Sequence, residues 1–296
     1  MGKNTGIQWC DDTSNPTGGC GGCELFDAIK KTGSCYAFKI TRLRGGKHKG
    51  FAKKFWIVEE LPGRMAEAAR WSDLAGTERP DKPWLGVMPR VIFISDMSDA
   101  LSNGIGFDYL KTEVIDVVSS SLGVQHQWPW LTKRPGRMAE FSGWLKRQGI
   151  EWPSNLWAGT SITTSKTTSR IDRLLRVGDE NTVHFVSVEP QWEPIDLRPW
   201  LPRLGWVIQG GQSGDRKFFD TAWARGLRDQ CLAANVPYFL KQLGSYVIHG
   251  GLRIKFEDGH GGNWDEWPSD LRVRQMPAIK PFSATSMSLT GATSAR

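Results

Sequence analysis

Cys20-Gly21-Gly22-Cys23, followed by Cys35-Tyr36-Ala37, gathers three thiols into one glycine-rich loop near the amino terminus. Three thiolates can hold a cubane iron–sulfur cluster by three of its irons and leave the fourth open to a substrate, as reductive radical chemistry requires. The same spacing admits a zinc site completed by His48 or Cys10. It also admits a redox dithiol at Cys20 and Cys23, although nothing around the pair reads as thioredoxin-like. The five cysteines are odd in number and four of them crowd near one end, which fits a reducing compartment and metal ligation better than a disulfide framework. Cys231 lies in a helical pattern and reads as a small buried residue. His126, His184, His249 and His260 are scattered, without partners at metal-ligand spacing, and read as core or surface histidines.

The charge around this loop is one-sided. Lys and Arg number 38 against 31 Asp and Glu, and the excess is local. Lys39, Arg42, Arg44, Lys47, Lys49, Lys53 and Lys54 follow Cys35 with no acidic residue among them. A polyanion drawn there would be held beside the cysteines, as basic clusters hold nucleic-acid phosphates. A solvated basic helix and turn is the plain alternative. Fifteen tryptophans offer indoles that stack on unpaired bases, although most are expected in the core. The amino terminus has no apolar leader segment and no run of about eighteen apolar residues occurs, so the expected compartment is the cytoplasm, with no membrane contact.

The elements that must position the loop alternate. Short β-branched or aromatic runs predict strands at 90–94, 128–132, 156–160, 184–188, 206–209 and 238–241, with weaker candidates at 7–9 and 55–58. Between them, amphipathic stretches at 109–120, 135–148, 164–177 and 221–234 predict helices, several opened by Pro, Asp, Ser or Thr. The phrase Pro-Gly-Arg-Met-Ala-Glu, at 62–67 and again at 135–140, marks equivalent helix starts or arises by chance from shared helix-start chemistry. This βα repetition over 296 residues fits one parallel (β/α) TIM-like barrel, spanning 1–276 with the cysteine loop at 10–36. The segment 277–296, rich in small polar residues, reads as a mobile tail. Each strong strand ends in a polar cluster: Ser95-Asp96-Met97-Ser98-Asp99, Thr132-Lys133-Arg134, Thr160-Ser161, Glu189-Pro190, Gly211-Gln212-Ser213 and Lys241-Gln242. A parallel barrel brings those ends to one rim, so the clusters converge on a bowl beside the cysteines. For any single cluster, a turn or helix cap is the plainer reading.

The approach Asn15-Pro16 to Cys20, the Cys-Tyr-Ala ending, and the phrases ISDMSD, LTKRPGRM, LWAGTSI, VSVEP, WVIQGGQSG, VPYFLKQLG and NWDEWP resemble, in order, the phage-associated three-cysteine family of radical S-adenosylmethionine proteins. The resemblance runs from about Ile7 to Pro268. Here the first two cysteines are the close pair, where many relatives pair the last two, and Cys10 stands where relatives tend to carry Thr. The resemblance implies a full or partial barrel of the radical S-adenosylmethionine type, with a 4Fe-4S cluster on Cys20, Cys23 and Cys35 and S-adenosylmethionine on the open iron. It implies that Gly18, Gly19, Gly21 and Gly22 wrap the cluster closely. It implies cofactor contacts from Tyr36, Asp96, Ser98, Asp99, Ser161 and Glu189, while Lys133, Arg134, Gln212, Ser213, Lys241 and Gln242 stand where the rim would meet an anionic substrate. The expected function is hydrogen abstraction that rearranges or modifies an amino-acid adduct on the 5-position of thymidine in phage DNA, in the host cytoplasm. An electron donor such as a flavodoxin or ferredoxin would serve it. A radical enzyme acting on tRNA, protein or damaged DNA, and a non-enzymatic zinc-containing nucleic-acid-binding protein, are the alternatives.

Overall fold

Seven strands pair in chain order into one parallel sheet: β1 (Asp12–Ser14), β2 (Ile92–Ile94), β3 (Trp128–Thr132), β4 (Leu156–Ile162), β5 (His184–Val188), β6 (Trp206–Gly210) and β7 (Tyr238–Gln242). This is a computed structural model that describes residues 2–45, 51–214 and 217–279. The basic residues Lys47 and Lys49, the zinc candidate His48, and most of the expected tail, from 280 on, lie outside the described residues. Among the described residues β1 and β7 do not pair, so the fold is α/β with an open, partial barrel. No helix among them is long and apolar enough to cross a membrane.

Alternation along the strands sorts their side chains onto two faces. Ile92, Ile94, Val186, Val207 and Leu240 face one core, with Met138, Phe141 and Leu145 of the helix Pro135–Arg147 packed against it. Phe93, Trp157, Phe185, Trp206 and Phe239 face a second, mostly aromatic core. Trp9 fills the middle of that second core. Its ring centroid lies 4.5 Å from Phe93 of β2 and 5.8 Å from Trp206 of β6, so strands far apart in the sheet order curl round one indole. Phe185, Trp157, Trp206 and Phe239 stand at or next to the first residues of their strands, which puts this aromatic plug at the amino-terminal end of the barrel.

The weak strand expected at 7–9 is therefore corrected: the segment is the plug's backbone, outside the sheet. Lys82 donates to the carbonyls of Thr5, Ile7 and Cys10 at 2.6–2.9 Å, and the Trp84 indole donates to Gln8 O. Carbonyls tied to an ammonium and an indole are not free to pair with a strand. The first strand is instead Asp12–Ser14, polar yet buried, with Asp12 ion-paired to Arg90. The expected strand at 55–58 is also corrected. Only Glu59–Glu60 pairs, with Thr17–Gly18, while the Phe55 carbonyl accepts from Cys20 N at 2.7 Å.

The four strong helical patterns are present with altered bounds. We label the helices α1 (Tyr36–Arg44), α2 (Arg64–Ala69), α3 (107–118), α4 (Pro135–Arg147), α5 (Ser169–Leu174) and α6 (Thr221–Ala233). The repeated Pro-Gly-Arg-Met-Ala-Glu phrase starts α2 and α4, and Met65 and Met138 are both fully buried. The two starts differ in detail: Pro135 is itself the first helical residue of α4, whereas α2 begins at Arg64 after Gly63 in the left-handed conformation. A π segment, Lys111–Ile115, interrupts α3 and carries Glu113, whose carboxylate accepts from Gly63 N (2.8 Å) and Met65 N (2.9 Å) at the start of α2. That carboxylate satisfies two N–H groups the helix end leaves open.

Candidate functional site

The cysteine loop leaves β1 and folds as a small lobe on the carboxyl-terminal rim of the sheet. Phe26, Ala37, Phe38 and Phe55 form its own core, with ring centroids of Phe26 lying 4.7 Å from Phe38 and 4.9 Å from Phe55. Phe26–Asp27 pairs with Thr32–Gly33, closing a short hairpin that returns the chain to Cys35 at the start of α1. Each cysteine is fixed through its backbone: Cys20 N donates to Phe55 O, Cys23 N to Phe26 O, and Cys35 N to Leu25 O, all within 3.0 Å. Two glycines are required by this path. Gly19, at φ +74°, has Ile57 O 2.0 Å from where a Cβ would stand, and Gly22, at φ +97°, has Phe26 O at 2.9 Å.

The loop lies against a cavity of about 110 Å³. Cys20, Cys23 and Cys35 all line it, together with Tyr36, Ser95, Asp96, Ser98, Asp99, Thr132, Lys133 and Ser161, and with apolar walls from Phe55, Phe93 and Leu131. Eight of the residues expected to bind metal, cofactor or substrate beyond Cys20 thus share one cavity: Cys23, Cys35, Tyr36, Asp96, Ser98, Asp99, Lys133 and Ser161. Inside it their partners differ. Asp99 accepts from Thr132 Oγ1 (2.9 Å), Lys133 N (3.2 Å) and Leu101 N (3.1 Å), and so ties β3 to the segment after β2. Ser98 Oγ sits 3.1 Å from Thr17 Oγ1. Asp96 accepts from Asn15 Nδ2, and its carbonyl accepts from the Tyr36 hydroxyl. Tyr36 keeps about half its surface exposed, but its hydroxyl is buried in this contact.

The other expected contacts lie elsewhere on the rim. Glu189 and Lys241 form an ion pair at 2.6 Å. Gln242 donates to Ser213 Oγ at 2.6 Å and to Gly211 O at 2.9 Å, and Gln212 Oε1 accepts from the Trp192 indole at 2.7 Å. Arg134, expected to meet substrate, donates to Gly22 O at 3.0 Å. No tryptophan is among the residues lining the cavity, and eight of the fifteen are buried in the two larger cores.

Burial sets the protonation of the thiols. It pushes Cys20 up to about 12, with the nearby Asp99 carboxylate adding to the rise. Burial also raises Cys23, opposed by the Lys133 ammonium. Asp96 is raised by burial, against hydrogen bonds from Asn15 and Thr13 that favour its charge. A cation bound at the sulfurs would reverse the thiol shifts, because metal ligation requires the thiolate.

Ser95 was not singled out from the sequence as a contact. It stands at φ +73°, a conformation that costs a non-glycine residue about 1–3 kcal/mol, and its buried hydroxyl has no hydrogen-bond partner among the described residues. The signal was its place directly after the apolar run of β2, in a cluster that offers several polar residues. Three thiols and an unpartnered buried hydroxyl round one cavity are a donor set that fits a group held by three sulfurs. Among the described residues, no three His, Cys, Asp or Glu side chains are arranged to hold a metal ion. Cys10, the other zinc candidate, is buried in the aromatic plug and does not line the cavity.

The fold and site thus define an open α/β barrel with a three-cysteine cavity on the carboxyl-terminal rim of its strands. The chain belongs to the family described as "Protein of unknown function (DUF5131)", whose model matches residues 4–277. No curated protein and no solved structure matches it.

Proposed function

We propose that this protein is a radical S-adenosylmethionine enzyme that modifies a base in DNA. The observation that carries the reading is that Cys20, Cys23 and Cys35 line one cavity with Ser95 and Asp96 at the strand ends. Cys20, Cys23 and Cys35 would each take one iron of a 4Fe-4S cluster, which asks the three sulfurs to surround a volume rather than converge on a single ion. Bound, the cluster and S-adenosylmethionine would supply reductive cleavage of the sulfonium and hydrogen abstraction from an unactivated carbon. The chain's own residues supply the rest. Lys133 favours the Cys23 thiolate, Ser95 offers a hydroxyl that is unpaired among the described residues, and Asp96 is held in place by Asn15 and Tyr36. Phe55, Phe93 and Leu131 limit water at the sulfurs.

The substrate part of the reading rests on charge. Lys39, Arg42 and Arg44 lie on α1, which starts directly after Cys35, and Lys53 and Lys54 follow in the same lobe. A polyanion held there has its bases near the cavity mouth, and a base extruded from a duplex costs a few kcal/mol that phosphate contacts offset. A thymine carrying an amino-acid adduct at its 5-position is the proposed target, in the host cytoplasm of a phage infection.

Anaerobic purification tests the enzyme. The expected protein is brown, carries about four irons, and cleaves S-adenosylmethionine when reduced. Cys20→Ala, Cys23→Ala and Cys35→Ala should each abolish cleavage, and Cys10→Ala and Cys231→Ala should leave it intact. Colourless protein with one zinc defeats the reading. Mass spectrometry of nucleosides from phage DNA, with and without the gene, tests the substrate. Unchanged DNA alongside turnover on tRNA or protein would move it.

A further inference from the structure

Glu24 is the single charged residue between Cys20 and Asp27, and it does not face solvent freely. Arg170 of α5 grips it with two hydrogen bonds, Nη1 to Oε1 at 2.8 Å and Nη2 to Oε2 at 2.7 Å, with both side chains about four-fifths buried. The same Arg170 Nη1 donates to Ser161 O at 3.0 Å, and Thr163 Oγ1 donates to Glu24 Oε1 at 3.3 Å. Arg134, from the loop after β3, donates to Gly22 O at 3.0 Å. Its Nη2 stands 2.8 Å from where a Cβ on Gly21 would be, so the contact depends on glycine there. Ser102 Oγ accepts from Gly21 N at 3.2 Å. Among the described residues, the bonds that tie residues 21–24 to the sheet come from the segments after β2, β3 and β4, while the backbones of Cys20, Cys23 and Cys35 are tied to the lobe itself.

We propose that Arg170 and Arg134 are positioning residues that lock the Cys20–Cys23 turn onto the strand ends, with the Glu24–Arg170 pair as the latch that aims the Cys23 sulfur into the cavity. A guanidinium fork fixes both distance and plane, which a lysine cannot do. The turn itself has glycines at two of its four positions, and its own ties at Cys23 are the two backbone hydrogen bonds exchanged with Phe26 and the one that Leu25 N donates to Cys23 Sγ at 3.4 Å. Without the latch, Cys23 would sample orientations away from Cys20 and Cys35. The proposal rests on the reading of the three cysteines as ligands, and its test is chosen to be independent of any bound metal.

The test is alkylation of the reduced, metal-free full-length chain by iodoacetamide, with peptide mass spectrometry resolving all five cysteines. Glu24→Gln and Arg170→Met should each speed Cys23 alkylation by about tenfold, and the reversed pair Glu24→Arg with Arg170→Glu should return most of that change. Arg170→Lys should fall between, because it keeps charge and loses the fork. Cys10 and Cys231, both fully buried and neither lining the cavity, report on general unfolding. If they react together with Cys23 in the isosteric Glu24→Gln variant, the pair serves folding alone and the proposal is overturned. It is equally overturned if Cys23 reacts at the wild-type rate in both single variants, or if reversal of the pair restores nothing. Iron uptake on reconstitution separates this from the enzyme reading: wild type that takes up no iron defeats the cluster, and the alkylation pattern still decides the latch.

Discussion

A thiol pushed up by burial makes the metal-free protein sensitive to alkali. Cys20 and Cys231 are each held up to about 12, and Cys10 and Cys23 are raised in the same direction, in every case chiefly by burial. In the unfolded chain such thiols titrate near 8.5. As pH rises past that value the unfolded chain loses these protons first, so the folded state loses stability progressively up to its own, higher pKa. The urea midpoint of the metal-free chain should be flat from about pH 7 to 8 and fall above about pH 8.5. Cys20→Ser and Cys231→Ala should each lessen the fall, and a midpoint constant to pH 10 would contradict the burial of these sulfurs. The same shifts mean that metal uptake releases protons, so reconstitution should improve with pH in this range. At this scale the cysteines were legible because three like donors at short spacing are rare by chance. Ser95 and Arg170 were not. The first is distinguished by a backbone angle and a missing partner, the second by a contact to Glu24 across more than a hundred residues, and neither leaves a local pattern.

The strands were legible where apolar residues alternate, because two packed faces demand a period of two. Six of the seven were found that way; the polar ends of β2, β3 and β4 line the cysteine cavity, whereas those of β5, β6 and β7 do not. β1 was not, since Asp12, Thr13 and Ser14 carry no apolar signal and are buried through pairing with β2 and with Arg90. The plug at 7–9 was misread because a tryptophan in a short apolar run looks like a strand whatever its carbonyls do. A similar tertiary device closes the far edge. Residues 273–275 run along β7, with Leu240 N donating to Val273 O and Gln275 N to Tyr238 O. Arg274 there is nine-tenths buried in a cage of Trp84, Trp264, Trp267 and Phe239, its guanidinium carbon 4.2–5.7 Å from each ring centroid. Burial lowers its pKa to about 10, and it donates to Leu240 O, Lys241 O and Gly262 O. Desolvated cation–π contacts are worth about 2 kcal/mol or more. For a chain of this length Arg274→Ala should lower Tm by roughly 4–8 °C. Arg274→Lys should recover part of that loss, since it keeps the charge but not the planar stacking. A Tm unchanged in Arg274→Ala, followed by circular dichroism, would remove the cage from the account of this edge.

For the whole molecule, the separation of charge from chemistry decides what a partner can do. The cavity is lined by barrel and lobe together, and the lobe carries cations outside it: Arg42, Arg44, Lys53 and Lys54 are exposed and Lys39 partly so. Phosphate contacts at such a surface act through released counterions, so affinity should depend on salt far more than on sequence. With about four phosphates neutralised, log K should fall against log salt with a slope near −3.6, about 0.9 per contact. Lys39→Gln, Arg42→Gln and Arg44→Gln together should flatten that slope by up to about 2.7 while the thiol reactivities of the cavity stay as in wild type. Replacing Lys133 tests the other half, because that ammonium lines the cavity beside Cys23. Lys133→Met should leave the salt slope unchanged and raise the Cys23 pKa further, since the cation that opposes its burial would be gone. An affinity for DNA that ignores salt, or one that the three substitutions on α1 do not touch, would detach nucleic acid from this lobe. The cysteine cavity would then need a substrate that reaches the rim without phosphate guidance.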